Sequence, residues 1–132
     1  MKIRLDATEK EIEDVILQWL NLQYLCFAFK QDIKASYDPK LGYYRQLSKW
    51  VPKGGSDILA SIHGKFCAFE VKKPSEYKSW FTSTGDREIN QRSFIDKVKA
   101  TGGIAACVCS LEQVIEFHSQ LTRQRESAQI SE

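Results

Sequence analysis

The sequence predicts a single α/β domain in which helices flank a mixed central sheet. Three observations carry this expectation. Apolar residues recur at helical spacing after Glu9, after Asp86 or Arg87, and after Leu111. Short runs rich in β-branched and aromatic residues, at Tyr24–Lys30, Asp57–Ile62, Lys65–Lys72 and Ile104–Cys109, read as strands. Their order, helix, strand, loop, hairpin, helix, strand, helix, suits one layered α/β unit.

The first helix is expected over Glu9–Gln23. Thr8 is a good N-cap, and Glu11 three residues on completes a capping box. Ile12, Val15, Ile16, Trp19 and Leu20 form its core stripe. Glu9 shares a face with Ile12 and Ile16, whereas Glu13 lies nearer the edge of the stripe. The strand Tyr24–Lys30 follows, with Leu25, Phe27 and Phe29 alternating against Cys26 and Ala28. Residues 31–53 are polar and turn-rich. They carry Lys34, Lys40, Arg45, Lys49 and Lys53, interleaved with Tyr37, Tyr43, Tyr44 and Trp50. Cations for phosphates and aromatics for bases or sugars make a reasonable DNA-contacting surface; a solvated loop with packed tyrosines is the plainer reading.

The stretch Gly54–Pro74 organises the chain. Its two strand-like runs are separated only by His63 and Gly64, a two-residue turn in which glycine tolerates positive φ. That turn sets Ile62 opposite Lys65 and Asp57 opposite Glu70, whose Cβ atoms are then about 4.5–5.5 Å apart. Alternation puts Lys72 on the face of Glu70. Ile58, Ala60, Ile62, Cys67, Phe69 and Val71 occupy the other face, while Leu59, Phe66 and Ala68 join the acids. Strands apolar on both faces are central and buried, so the charges among them need partners. A divalent ion such as Mg²⁺, which takes oxygen ligands from one or two carboxylates, offsets the repulsion of the pair. A solvated rim with Glu70 paired to a lysine is the bland alternative.

A connection with Tyr77, Trp80 and Phe81 is expected over 75–84, its large aromatics either tucked against the core or part of an interface. A helix to Ala100 then carries Gln91, Phe94, Ile95 and Val98 along one side and is stopped by Gly102-Gly103. After the last strand, Ser110 is expected to cap a helix from Leu111 to about Arg123, leaving 124–132 as a polar, frayed tail.

Composition sets the outer bounds. The chain of 132 residues, 42% hydrophobic and 27% charged, is large enough for one core of moderate size. Its net charge of +2 is too slight to argue for nucleic acid by itself. No apolar run spans a bilayer and the N-terminus lacks a signal-peptide core, so a cytoplasmic protein without membrane partners is expected. Cys26, Cys67, Cys107 and Cys109 read as buried free thiols without metal-binding spacing. His63 reads as a turn residue and His118 as a residue of the last helix.

Asp57 followed by Glu70-Val71-Lys72 across a hairpin resembles the D…ExK core of the PD-(D/E)XK nuclease superfamily. The likeness extends through Tyr37-Asp38-Pro39, Gly42, Arg45, Lys53-Gly54-Gly55-Ser56-Asp57-Ile58-Leu59, Glu70-Val71-Lys72-Lys73-Pro74, Gln91, Phe94 and Gly102-Gly103. In this order the residues resemble the virus-type replication-repair nuclease family (VRR-NUC) in its stand-alone form, over roughly Glu9 to Val114. The resemblance implies a restriction-endonuclease-like fold, a homodimer, and a Mg²⁺- or Mn²⁺-dependent endonuclease acting on branched DNA such as a Holliday junction. Asp57, Glu70 and the Val71 carbonyl would hold the metal. Glu9, which fits the family's E-x-x-I pattern, would assist directly or through water. Lys72 would orient the attacking water, Gln91 would lie near the active site, and Lys40, Arg45, Lys49 and Lys53 would contact DNA. Trp80 and Phe81 are candidates for the dimer interface. Two other classes fit the same residues: a sequence-specific restriction-type endonuclease, and a DNA-binding module that does not cut.

Overall fold

A computed structural model of the chain describes residues 6–32, 37–44 and 48–131. Its elements are α1 (Glu9–Asn21), β1 (Cys26–Lys30), β2 (Tyr37–Asp38), β3 (Tyr43–Tyr44), β4 (Ile58–Ile62), β5 (Lys65–Val71), α2 (Pro74–Trp80), α3 (Asp86–Ala100), β6 (Ile104–Val108) and α4 (Leu111–Ser131). The main sheet has the order β1-β4-β5-β6. β4 pairs antiparallel with β1 and β5, and β6 runs parallel to β5. This is the mixed α/β architecture expected from the sequence, compatible with a restriction-endonuclease-like fold. The short β2–β3 ladder stands apart, within the segment expected to be a loop.

The two hairpin strands are the central ones, and their doubly apolar character follows. Ile58, Ala60, Ile62, Cys67, Phe69 and Val71 pack against Ile12, Ile16 and Leu20 of α1 and Val114 and Leu121 of α4. On the opposite face Ala68, Ala105 and Cys107 pack beneath Trp80, Ile95 and Val98. Ile62 faces Lys65, and both His63 (φ 52°) and Gly64 (φ 80°) adopt the left-handed conformation that a two-residue turn of this hand requires.

Several elements differ from expectation. α1 ends at Asn21, two residues early, because its last turn tightens into Leu22 N–H to Trp19 O (3.2 Å) and Gln23 N–H to Leu20 O (3.0 Å) bonds. Leu25 then turns through a left-handed φ of 55°, so the strand starts at Cys26. Thr8 caps α1 by accepting the Glu11 N–H at 3.2 Å, and its hydroxyl donates to Glu11 Oε1 at 3.2 Å. Val15 is exposed rather than core, and Glu13, placed by spacing at the stripe's edge, is buried and paired with Lys30 at 3.1 Å.

Residues 75–84 are not one open connection. Pro74 opens α2, where a missing N–H costs nothing, and Trp80 is buried at 5% exposure. Ser110 does not cap α4, since its Oγ is buried without a partner. The Gln113 side chain does so instead, its Oε1 accepting the Cys109 N–H at 2.6 Å. α4 runs past the expected end at Arg123 to Ser131, where no glycine or proline interrupts it, with Arg125 lying over the Tyr24 ring.

One edge of the sheet is closed by a side chain. The Asn21 Nδ2 donates to Ala28 O (2.9 Å) and its Oδ1 accepts the Ala28 N–H (2.8 Å). The amide thus takes the place of a further strand at the middle of β1.

Candidate active site

The site forms where the β4–β5 ladder runs out. The last pair is Ile58–Phe69, so Asp57 and Glu70 follow as cross-strand neighbours. Alternation directs the backbone groups of Val71 toward β4, which has already ended. The Asp57 Oδ2 takes the Val71 N–H at 2.8 Å, and the Val71 carbonyl has no ladder partner. Glu70 and Lys72 direct their backbone toward β6 instead, as the Lys72 N–H to Val108 O bond of 2.9 Å records. Their side chains therefore emerge beside Asp57 on the α3 face.

Burial makes this cluster electrostatically strained. Glu70 is only 1% exposed; its Oε1 lies 3.7 Å from Lys72 Nζ, and its Oε2 is buried without a hydrogen-bond partner. Desolvation first, then the Asp57 charge, pushes its pKa up to about 8, against the opposing pull of Lys72. Lys72, itself 6% exposed, is held in the same cleft. Cys107, the strand partner of Glu70 on β6, has its thiol pushed up to about 12, chiefly by burial and then by Glu70.

Glu9, at the start of α1, reaches the same field. Its pKa is raised by partial burial, with Lys72 opposing and Asp57 and Glu76 adding. Glu13 is committed elsewhere, to Lys30. Of the two acids weighed on α1, Glu9 is the one that interacts with the Asp57–Lys72 cluster.

α3 supplies the roof. Gly54 has φ +74°, and a Cβ there would collide with the Asn90 carbonyl group. The loop before Asp57 therefore lies directly on the α3 backbone, a fit that only glycine permits. Gln91 is buried, accepts the Trp80 indole N–H at 2.8 Å, and lines a cleft of about 400 Å³ with Asp57, Lys53, Gly54 and Gly55. A second cleft of about 670 Å³ is lined by Glu9, Lys72, Glu76, Arg87 and the hydroxyl-bearing Ser79, Thr82, Ser83 and Thr84.

The structure thus brings together Glu9, Asp57, Glu70, Val71, Lys72, Gln91 and Lys53. Lys40 and Lys49 line neither cleft; Lys40 sits on the β2–β3 turn and Lys49 lies over the Trp50 ring at 5.1 Å. Arg45 lies outside the described residues. Trp80, a candidate interface residue from sequence, is instead internal and bonded to Gln91, while Phe81 is half-exposed. Sequence reading missed Arg87 and Glu76. Arg87 stands four residues before Gln91, on the same side of the helix, but nothing in that spacing alone marks it as functional.

The donor set suits a hard divalent ion. Two adjacent carboxylates, one with an oxygen that has no hydrogen-bond partner among the described residues, stand beside the Val71 carbonyl, which lies past the last β4–β5 pair. No three histidine, cysteine or acidic side chains converge on a point among the described residues. All four cysteines are free, and among the described residues no helix is long and apolar enough to cross a membrane. Comparison of the chain with family models, curated proteins and solved structures found no match.

Proposed function

We propose that this chain is a Mg²⁺- or Mn²⁺-dependent DNA endonuclease. The observation that carries the reading is the Asp57–Glu70 pair at the end of the hairpin, with Glu70 buried beside Lys72, and with Asp57 and Lys72 each lining a cleft. Apart from the Asp57 oxygen that takes the Val71 N–H, the pair has no evident structural use, because burying two carboxylates together costs stability unless a proton or a cation joins them. Asp57, Glu70 and the Val71 carbonyl would hold the ion, with Glu9 assisting. When bound, the ion polarises a phosphoryl oxygen and lowers the pKa of water.

The chain's own groups do the rest. Lys72 orients the attacking water and balances the charge that builds on the phosphate. The water oxygen forms the new P–O bond as one ester P–O bond breaks, and the departing oxygen is protonated. Gln91 braces α2 against α3, keeping the roof over the acids. The order of motifs that resembles the VRR-NUC family supports a branched DNA substrate and a homodimer, and the buried free thiols accord with a reducing, cytoplasmic compartment.

The test is cleavage of branched and linear DNA, with Mg²⁺ and with chelator. Metal-dependent cutting that favours the branched substrate is expected. Binding without cutting would make the chain a DNA-binding module, and cutting at one linear sequence would make it a restriction-type enzyme. Sedimentation at micromolar concentration, with and without DNA, tests the dimer; a monomeric mass under both conditions refutes it.

A further inference from the structure

We infer that Arg87 clamps the phosphodiester on which the proposed reaction acts, bridging the two clefts that flank the acid pair. The inference rests on the nuclease reading of the site and adds a residue and a strand path to it.

Arg87 is the one described residue that lines both clefts. On one side are Lys72 and the hydroxyls of Ser79, Thr82, Ser83 and Thr84; on the other are Asp57, Lys53 and the Gly54-Gly55 backbone. Glu70 connects them as the neighbour of Asp57 and the ion-pair partner of Lys72. A strand crossing the acids must pass Arg87 on its way from one cleft to the other.

Its surroundings mark it as uncommitted. Three of the cations nearby have partners: Lys72 with Glu70, Lys73 with Glu76, and Arg92 with the carbonyls of Trp80 and Ser83, while Lys53 lines only the Asp57 cleft. Arg87 is exposed and makes no hydrogen bond or ion pair with the described residues. It also stands in the first turn of α3, where the helix dipole disfavours a cation. A residue placed for stability there would be acidic, as Asp86 and Glu88 are. Arg87 lies four positions before Gln91, which turns it to the site side of the helix. A guanidinium is permanently charged and presents paired N–H donors that match two phosphate oxygens.

Two measurements on Arg87→Ala and Arg87→Lys test this. The first is DNA binding against salt in Ca²⁺, a hard divalent ion used here in place of Mg²⁺. The second is single-turnover cleavage in Mg²⁺. Arg87→Ala is expected to reduce the log–log salt slope by about 1, as loss of one phosphate contact does. Cleavage should fall by about 10²–10³-fold, with Arg87→Lys recovering part of the rate. The melting temperature should change little, since Arg87 meets Glu9 and Glu70 through the field of its charge and not through a hydrogen bond. An unchanged slope with unchanged cleavage overturns the inference while leaving the nuclease reading intact. A reduced slope when neither wild type nor variant cuts leaves the phosphate contact standing and refutes the nuclease reading. Equal losses in binding and rate make Arg87 a docking residue only and overturn the clamp.

Discussion

The Asp57 carboxylate completes a ladder that the strands leave unfinished: its Oδ2 accepts the Val71 N–H at 2.8 Å, beyond the last β4–β5 pair. One oxygen of the acid is thus structural, and the negative charge beside Glu70 is a separate property. Substitutions divide the two. Asp57→Asn keeps an acceptor and removes the charge. It should be catalytically dead, at least as stable as wild type in chelator, and should gain less from Mn²⁺. Asp57→Ala should lose about 1–3 kcal/mol by stranding the Val71 amide. Melting curves in chelator and in millimolar Mn²⁺ decide it. A wild type indifferent to Mn²⁺ would remove the paired-carboxylate site.

Lys72 has no such structural duty for its charge beyond the 3.7 Å approach to Glu70. Lys72→Ala should abolish cleavage while DNA affinity falls only slightly, as one contact among several. Parallel losses in the two would assign Lys72 to docking and leave the chemical step without its lysine.

The pH dependence of stability carries a definite sign. Glu70 is raised from 4.5 to about 8 on folding, so between those values the folded state holds a proton that the unfolded chain releases. Its contribution is fully present below about pH 4.5 and is lost as pH rises toward 8. His118 has the opposite sense, because burial and His63 lower its pKa. Its contribution is gained as pH rises to 6.5. The informative window is therefore pH 6.5–8, in chelator. There the melting temperature should decline with pH in wild type and stay flatter in Glu70→Gln. A rise in wild type, or the same slope in both proteins, refutes the buried proton.

Gly54 and Gly64 share a left-handed φ but not a neighbourhood. Nothing lies within 4 Å of a Cβ at Gly64, whereas one at Gly54 meets the backbone of α3 at Asn90. Gly64→Ala should cost about 1–2 kcal/mol, the conformational penalty alone. Gly54→Ala should cost more and should also depress cleavage, because Asp57 shifts with its loop. Equal melting shifts with full activity in both would show that the loop is not seated on α3.

Most of the sheet was legible because its signals are local. The His63-Gly64 turn sets the hairpin register, and that register places Asp57 beside Glu70 without any distant contact. What escaped depends on partners far along the chain. Glu13 looked peripheral by helical spacing, but Lys30 from β1 draws it inward. Trp80 read equally as a tucked or an interface aromatic; Pro74, which starts a helix, and Gln91, which accepts from the indole, place it inside. Arg87 carried no pattern of its own; its meaning comes from the two clefts that meet at it.

The Asn21 amide has a consequence for how this protein avoids its own kind. Phe27 and Phe29 on β1 are 62% and 48% exposed, and their rings touch each other edge to face. A greasy outer strand with free backbone groups is a template on which further chains deposit, the first step toward fibrils. By occupying both backbone groups of Ala28, one asparagine denies incoming strands their central pair of hydrogen bonds. The aromatic surface can thus stay bare while the strand beneath it offers no foothold for polymerisation.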